Sequence, residues 1–400
     1  MEQQRSMMLS RAMSQRSVVI RPATQETGGM IQYLLTIVFL LCVFWAIVGV
    51  LLYMYRKPSP GTVDGEKPAL LTGKTIYCSV QHEKAINLSV FVPEGVCHVF
   101  VALGLTQSNG SVLEGNAVSV ERLRAVDRTP EAYVSVGYSV LVSKKDAFKD
   151  SLKDFMDRYP APWSDRFQGI EVRGVPLADY QNDATMDTLN TAIADVKAGV
   201  TKVQKVIATL TLPIISGLPT TIAESAKLTN VDKVIAQTHY IPDPASCNVR
   251  PANSFALMEQ AKNSMAAWKN KPCPSMLLGS LRYREADKEN KPAGSCDVKT
   301  FCEADQASEI VHETLNKESA LRKKSLRDWF IYDTPNKIRI KATAGRDMGC
   351  LYVDRIELDD AQCKCQNTRQ FPLLTNVRTG MDVHWDDAAT CGLQAIGRAR

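Results

Sequence analysis

The stretch Phe-Gln-Gly-Ile-Glu-Val-Arg-Gly-Val-Pro, residues Phe167–Pro176, decides how the rest of the chain is interpreted. Apolar residues alternate along it with other types, and the turn formers of 159–165 precede it, so it predicts a short buried strand. Its other face carries Gln168, Glu171 and Arg173. Because residues two apart on a strand point to the same side, we expect Glu171 and Arg173 to lie together. Charged side chains at the end of a buried strand indicate a functional site.

Composition and charge limit the classes of protein to which the chain can belong. Its 400 residues are 45% hydrophobic and 23% charged, as in a globular protein, and suffice for one large domain or two ordinary ones. Residues 1–57 hold six basic and two acidic side chains, so they carry +4 of the net +5 and the remaining chain carries only +1. So small a charge excludes a nucleic-acid binder on electrostatic grounds.

The chain has eleven cysteines, of which Cys42 lies inside an apolar run. An even number in the remaining part favours disulfides and an oxidising compartment. Zinc is the alternative, but no two C-x-x-C motifs occur, and the lone Cys363-Lys-Cys365 spacing is a weak signal. We therefore predict no metal site and no cofactor. The ten other cysteines are Cys78, Cys97, Cys247, Cys273, Cys296, Cys302, Cys350, Cys363, Cys365 and Cys391.

Residues 33–55 contain no charged side chain. At about 1.5 Å of rise per residue, such a helix crosses a hydrocarbon core roughly 30 Å thick. The run begins too far along the chain for an ordinary signal peptide, and no small-residue cleavage site follows it, so we predict a transmembrane signal anchor. Polar residues 1–32 predict a disordered cytosolic tail, and the Pro- and Gly-rich residues 56–74 predict a short stem.

Basic residues flank the predicted anchor on both sides, and their count alone mildly favours a cytosolic C-terminal body. The even cysteine set and the sequons at Asn87 and Asn109 oppose that orientation. A long C-terminal domain also translocates largely regardless of flanking charge. We expect a single-pass type II protein of the plasma membrane with an extracellular, glycosylated C-terminal domain. The flanking residues are Arg16 and Arg21 before the span, and Arg56, Lys57, Lys67 and Lys74 after it.

Eight short apolar segments with strand character alternate with helix-like segments from residue 75 onward. Residues 186–203, for example, have apolar side chains at helical spacing. Eight strand–helix units predict a (β/α)8 barrel, and a doubly wound sheet is the alternative on pattern alone. The predicted strands are 75–80, 98–105, 132–138, 167–172, 206–213, 234–240, 276–283 and 350–356.

Several motifs along these segments are specific. Ser135-Val-Gly137 lies on the third predicted strand, and Tyr332-Asp-Thr-Pro-Asn-Lys-Ile-Arg-Ile-Lys341 precedes the last one. With Phe167–Pro176 between them, they resemble glycoside hydrolase family 18, the chitinases and chitinase-like lectins. The resemblance covers residues 75–380 and implies a barrel there, followed by a C-terminal tail over 381–400. Further matches are Cys97-His-Val-Phe-Val-Ala, Ala236-Gln-Thr-His-Tyr240, Asp359-Asp360 and Phe371-Pro-Leu-Leu374.

The family often carries a small insertion domain between its seventh and eighth strands. Here residues 283–330 imply a reduced insertion, in which 297–302 is the remnant of the closing strand, and therefore a shortened groove wall. The resemblance also implies disulfides. The cysteines concerned are Cys78 with Cys97, and Cys302 with Cys363 or Cys365.

In family 18 a glutamate that ends the catalytic strand donates the proton, and an aspartate two residues earlier assists the substrate's own N-acetyl group. The resemblance places Val175 at the glutamate position and Arg173 at the aspartate position, with Gln168 and Glu171 at the two outer aspartates. Valine has no proton to give, and arginine adds positive charge where a cation must form. The resemblance thus implies a degenerate motif without catalytic residues. Glu171 and Arg173 either plug the barrel mouth as a salt bridge or contact a ligand.

The residues that hold the sugar in family 18 are replaced as well. His239 and Tyr240 stand where a tyrosine and an aspartate are usual, and Asp354 stands at the tryptophan that floors the pocket. Tyr138 and Tyr240 either offer substitute stacking faces or pack in the core. The candidate ligand-binding residues are therefore Tyr138, Glu171, Arg173, His239, Tyr240 and Asp354.

These observations favour a membrane-anchored, catalytically inactive chitinase-like protein that binds chitin or glycans containing N-acetylglucosamine. One alternative is a protein-interaction ectodomain in which the barrel is a scaffold without a glycan ligand. A second alternative is a residual glycoside hydrolase with chitinase activity. The expected partners are a membrane and a carbohydrate, with no nucleic acid.

Overall fold

The computed structural model divides into two compact units, Met1–Lys67 and Pro68–Arg400. In the first unit the described residues, 35–41 and 43–45, are helical. Among all described residues no helix is long and apolar enough to cross a membrane, and most of the predicted anchor, 33–55, lies outside them, as do the predicted tails and stem. In the second unit the described residues are 74–81, 96–113, 131–158, 167–214, 217–243, 245, 247–286, 291–301, 313–315, 319–325, 327–359 and 372–382.

Eight parallel strands close into a barrel, in the order β1-β13-β7-β6-β5-β4-β3-β2. Each contains part of one of the eight predicted strands, so the prediction of a (β/α)8 barrel is confirmed and the doubly wound alternative is wrong. The barrel strands are β1 (Thr75–Gln81), β2 (Val99–Leu103), β3 (Glu131–Gly137), β4 (Phe167–Pro176), β5 (Lys205–Thr211), β6 (Lys233–Gln237), β7 (Cys273–Leu277) and β13 (Cys350–Asp354).

Alternation along the strands separates the barrel interior from its outer face. On β2, Val99, Val101 and Leu103 belong to a cluster that fills the interior together with Tyr352 of β13. Phe100, between them, packs into a different cluster on the outer face. Burying an apolar side chain of this size stabilises the fold by roughly 1.5–3 kcal/mol, so each strand has one favoured register.

Helices cover the outer face of the barrel. The helix Asp183–Gly199 begins at Asn182, whose side chain accepts a hydrogen bond from Thr185 N and so satisfies one free N–H of the first turn. It ends before the predicted limit of 203. The described residues that join β5 to β6, 212–214 and 217–232, contain no helix. The helices of the second unit are α1 (Tyr138–Ser143), α2 (Lys145–Arg158), α3 (Leu177–Tyr180), α4 (Asp183–Gly199), α5 (Phe255–Ser264), α6 (Pro335–Met348) and α7 (Pro372–Met381).

The segment between the seventh and eighth barrel strands forms a five-stranded antiparallel sheet in the order β10-β11-β12-β8-β9. The predicted strand 276–283 is two strands, because β7 ends at Leu277 and β8 belongs to this second sheet. The predicted closing strand, 297–302, overlaps β9 at the edge of the sheet, and β12 is the strand that leads back to the barrel. The strands are β8 (Ser280–Arg284), β9 (Ser295–Lys299), β10 (Glu313–Leu315), β11 (Ser319–Ser325) and β12 (Asp328–Tyr332).

Within the described residues of the second unit, three disulfides join separate segments of the chain. The bond between Cys78 and Cys97, the pair that the resemblance implies, ties β1 to the start of β2. A second bond joins Cys247 to Cys296 of the antiparallel sheet. The third, between Cys273 of β7 and Cys350 of β13, lies inside the barrel. Cross-links of this kind restrict the unfolded chain and typically stabilise by about 2–4 kcal/mol. The cysteines at 302, 363 and 365 lie outside the described residues.

The motif Tyr332–Lys341 has a structural role. Lys341 Nζ lies 2.7 Å from Asp333 Oδ1 and also donates to the backbone carbonyl of Asn253, and all three residues are buried. The side chain of Asn253 in turn donates to Asp333 Oδ2 and to the carbonyl of Leu277 at the end of β7. This network fixes the start of α6 against the carboxyl end of the barrel, which explains the residues of the motif without a ligand.

Candidate active site at the barrel mouth

The strand β4 carries a bulge near its carboxyl end. Arg173 pairs with Thr209 of β5, and Val175 pairs with the next residue, Leu210, so Gly174 is an extra residue in the strand. Its φ of 81° is a conformation that glycine adopts readily because it has no Cβ. Arg173 faces the barrel interior with Glu171, and the extra residue turns Val175 to the outer layer.

Val175 is therefore not at the barrel mouth. It is buried in the hydrophobic layer between barrel and helices, with Leu177 and Leu210 in the same cluster. The following residue, Pro176, pairs with Thr211 and is exposed. The resemblance puts the proton donor at Val175, but the structure turns this side chain away from the interior, and proline has no proton to donate.

Arg173 lies at the centre of a buried polar network. Its Nη2 donates to Asp354 Oδ1 over 2.8 Å, and its Nη1 donates to the Tyr352 hydroxyl over 3.0 Å. Nη1 also lies 3.8 Å from Glu171 Oε1. Both carboxylates are fully buried, whereas 24% of the Arg173 side chain is exposed. A salt bridge thus closes the barrel mouth, and Asp354, not Glu171, is the nearer partner of Arg173.

Glu171 is held from two sides. Its Oε1 accepts hydrogen bonds from Thr209 Oγ1 at 2.7 Å and from the Tyr352 hydroxyl at 2.8 Å. Its Oε2 is buried and has no hydrogen-bond partner among the described residues. Burial and the charge of Glu171 raise the pKa of Tyr352 well above its ordinary value, so this phenol stays protonated and keeps donating.

Two groups donate to Asp354 Oδ1, the Ser79 hydroxyl at 2.6 Å and Arg173 Nη2 at 2.8 Å, and His239 Nε2 lies 3.2 Å from Oδ2. Burial opposes ionisation, but the charge of Arg173, together with the neighbouring His239 and Ser79, outweighs it and holds the pKa of Asp354 well below its usual range. Asp354 is therefore an ionised anchor for the arginine and not a proton donor.

His239 extends the network to β7. Its Nδ1 lies 2.8 Å from Ser275 Oγ, which already accepts the backbone N–H of Thr238 at 2.9 Å. Nε2 faces Asp354, which is ionised and can only accept, so we assign the imidazole hydrogen to Nε2 and the acceptor role to Nδ1. Serine, histidine and aspartate stand in line here as in a hydrolase triad, but with the two ring nitrogens exchanged. Ser275 is, however, fully buried, so no substrate carbonyl reaches its hydroxyl.

Four of the six predicted ligand-binding residues meet at the mouth, and two do not. Tyr138 begins α1, and burial together with a hydrogen bond to Asp179 raises its pKa to about 12. Tyr240 follows His239 directly and packs in the cluster beside the antiparallel sheet. Gln168 is also elsewhere, because it lies at a register shift near the other end of β4. The four that meet are Glu171, Arg173, His239 and Asp354.

The sequence prediction missed the neutral members of the network. Tyr352 lies two residues before Asp354 on β13, and Ser79, Thr209 and Ser275 are hydroxyl side chains inside otherwise apolar strands. A buried polar residue in such a strand requires a hydrogen-bond partner, which is the signal that could have found them. The network thus draws on β1, β4, β5, β7 and β13 as well as on the residue after β6.

The barrel is similar to solved structures, although its sequence matches no known family. No protein-family model matches the sequence, and no curated protein sequence matches it significantly. Solved structures do match. A family GH18 chitinase from Cycas revoluta is 12% identical, with a TM-score of 0.55, over 77% of this chain and 100% of its own. The fold is that of the family-18 chitinases.

Two proteins that are described as chitinase-like or as a pseudo-chitinase also share this fold. The chitinase-like agglutinin RobpsCRA from Robinia pseudoacacia is 13% identical, with a TM-score of 0.54, over 76% of this chain and 99% of its own. Human YKL-39, described as a pseudo-chitinase with retained chitooligosaccharide binding, is 13% identical with a TM-score of 0.54, over 77% of this chain and 99% of its own. Identities this low show only that the barrel fold is shared. What each chain binds or catalyses depends on its own residues.

Replacement of Asp354 by asparagine tests the electrostatics of the network. Because folding lowers the pKa of this carboxyl, its stabilising contribution is complete above the unfolded value of about 4 and is lost as the pH falls through the lowered value. We expect D354N to lose about 3–5 kcal/mol of unfolding free energy at pH 7. This deficit in unfolding free energy should shrink below a pH of about 4. Urea unfolding followed by tryptophan fluorescence measures it at each pH.

The matched control is D187N, which removes a carboxylate from the exposed pair of Asp187 with Lys227. This change should leave the unfolding free energy nearly unchanged at every pH, because exposed pairs contribute little. A D354N deficit that stays constant from pH 7 to pH 3 would contradict the assignment of a lowered pKa.

Proposed function

We propose that the protein is a membrane-anchored, catalytically inactive chitinase-like protein whose extracellular barrel binds chitin or glycans containing N-acetylglucosamine. The observation that carries the proposal is the position of Arg173 at the barrel mouth, fixed by Asp354, Tyr352 and Glu171 and partly exposed. A fixed guanidinium presents donors for sugar hydroxyl and carbonyl oxygens without a large loss of side-chain entropy on binding.

The proposed loss of catalysis follows from the state of the carboxyl groups at the mouth. Family-18 chemistry needs one carboxyl group that delivers a proton and a second that stabilises the cationic intermediate. In this chain Asp354 is held ionised by Arg173, and Glu171 Oε1 is occupied by Thr209 and Tyr352. Arg173 adds positive charge where the intermediate would form. Each change removes one requirement of the reaction.

Support for carbohydrate binding comes from the fold and from the exposed part of the mouth. Structures with this fold include a lectin and a pseudo-chitinase that keeps chitooligosaccharide binding. Tyr138 and Tyr240 do not join the network at the mouth, so they supply no stacking face beside Arg173. We therefore infer that hydrogen bonds dominate binding and that the affinity is weak.

A second candidate function, a protein-interaction ectodomain, draws on the same salt bridge. The pair of Arg173 with Asp354 fills the position at which the resemblance expects a tryptophan floor. A mouth closed in this way leaves the outer surface of the barrel for partners and makes the barrel a scaffold. Retention on chitin distinguishes the two functions.

The orientation in the membrane is part of the proposal. Asn109 lies exposed in a turn. Its Oδ1 accepts hydrogen bonds from the backbone N–H and from the hydroxyl of Ser111, the third residue of its sequon. An exposed sequon suits an extracellular glycoprotein. Asn87 lies outside the described residues. A mass shift on glycosidase treatment supports the orientation, and an unmodified Asn109 and Asn87 in secretory cells would argue for a cytosolic body.

Chitin beads test the ligand. We expect the full chain to be retained and to be released by chito-oligosaccharide. R173K should weaken retention at least about threefold, because lysine keeps the charge but loses the planar fork of donors. R284Q, at an exposed arginine of β8, is the control and should bind as the unmodified chain does. No retention of the unmodified chain sinks the glycan proposal and favours the scaffold.

Placing a carboxyl at Val175 tests the loss of catalysis. If only the missing acid prevented the reaction, V175E would hydrolyse a fluorogenic chitobioside. We expect no turnover from V175E or from the unmodified chain, because this side chain faces the outer layer. We also expect marked destabilisation, since an unpaired carboxyl buried there costs several kcal/mol. Turnover by the unmodified chain that E171Q abolishes would show a residual hydrolase.

A further inference from the structure

A cavity lies beside the mouth network, lined by Thr238 and Tyr240 on either side of His239. It has a volume of about 350 Å³ and lies between the chain that follows β6, residues 250–254 and the first turns of α5. None of the four charged residues of the mouth network lines it. Its size is within the range of small-molecule sites, so it can hold a molecule as large as a monosaccharide.

The charge on the described lining of the cavity is positive. Among the described residues that line it, Arg250 is the only charged one, and Tyr240 and Gln260 add neutral polar groups. Arg250 Nε is buried without a hydrogen-bond partner, and no carboxylate of the described residues forms an ion pair with this guanidinium. A buried donor of a charged group is costly when it is left unpaired. An acceptor from outside the chain would satisfy it.

The position of Arg250 is fixed by a buried tyrosine. The Tyr283 hydroxyl accepts from the backbone N–H of Arg250 at 3.2 Å and donates to its carbonyl oxygen at 3.1 Å. Tyr283 itself is fully buried in the antiparallel sheet. The backbone of Arg250 is therefore held in place before any ligand arrives, which lowers the entropic cost of binding.

The helix α5 strengthens the preference for negative charge. Its ten residues begin at the cavity, where Ser254 caps the helix by accepting from Leu257 N. The amino end of a helix carries partial positive charge and favours anions. Ile214, Pro251 and Leu257 add apolar side chains to the lining. The cavity thus combines a cationic group with apolar surface.

We propose that this cavity binds a small anion through a carboxylate, sulfate or phosphate group placed against the Arg250 guanidinium. When that group belongs to an acidic sugar, the ring occupies the remaining volume, with Tyr240 and Gln260 as partners for its hydroxyls. None of the four charged residues of the mouth network lines the cavity, so the proposal does not rest on the proposed binding of chitin at Arg173.

Thermal unfolding of the full chain tests the proposal with four probes: inorganic phosphate, glucuronate, N-acetylglucosamine 6-sulfate and neutral N-acetylglucosamine. We expect the anionic probes to raise Tm in a saturable manner and the neutral sugar not to do so through this site. A rise with phosphate alone identifies a free oxyanion as the ligand, and a rise with the sugar acids identifies an acidic carbohydrate. If none of the three anions raises Tm, the proposal is overturned.

Two variants and one control assign the effect to the cavity. R250Q removes the charge and should weaken binding about tenfold or more, the loss expected for one charge-assisted hydrogen bond. A256F fills the exposed rim of the cavity from α5 without changing charge, and should also abolish the rise in Tm. R284Q changes the net charge equally at an exposed residue that does not line the cavity, and should bind normally. Equal rises in R250Q, A256F and the unmodified chain would contradict the assignment.

Discussion

Two carboxylates without solvent exposure inside one barrel are tolerated only if a cation lies between them, and Arg173 is that cation. Asp354 and Glu171 both lie within 4 Å of its guanidinium, and both side chains are fully buried. Burial of an unpaired ion costs several kcal/mol, whereas a paired and hydrogen-bonded ion costs far less. The hydroxyls of Ser79, Thr209 and Tyr352 donate further hydrogen bonds to Asp354 Oδ1 and Glu171 Oε1. The arrangement of the mouth therefore follows from the pairing of buried charges.

The bulge of β4 keeps Val175 out of the mouth beside the arginine. Arg173 faces inward with Glu171 by regular alternation, and if Gly174 paired regularly with β5, Val175 would be the third side chain on that face. With the bulge, Val175 joins the layer under the helices and the exposed Pro176 follows. The guanidinium then has space to reach β13 across the barrel. One glycine with positive φ thus separates a charged interior from an apolar exterior.

Much of the fold could be predicted from the sequence because period-2 alternation is local. The boundary between β7 and β8 was missed because only 278–279 separate the two strands and apolar residues continue from one into the other. The insertion was predicted, but its five-stranded sheet was not, because most of its strands are rich in polar residues and give weak alternation. At the site, Glu171 and Arg173 were predicted from their spacing. Tyr240 was misplaced although it directly follows His239, and neighbouring residues of an extended chain point to opposite sides. Tyr352 and Ser275 could not be assigned, because contacts across the barrel depend on closure.

A double-mutant cycle between Arg173 and Asp354 tests most directly whether charge balance organises the mouth. The unfolding free energies of R173M, D354N, the double variant and the unmodified chain are compared at pH 7. If the arginine compensates the buried aspartate, the double variant is less destabilised than the sum of the single changes, with a coupling of about 1–3 kcal/mol. A coupling within about 0.3 kcal/mol of zero would contradict the account, since the two residues would then stabilise the barrel independently.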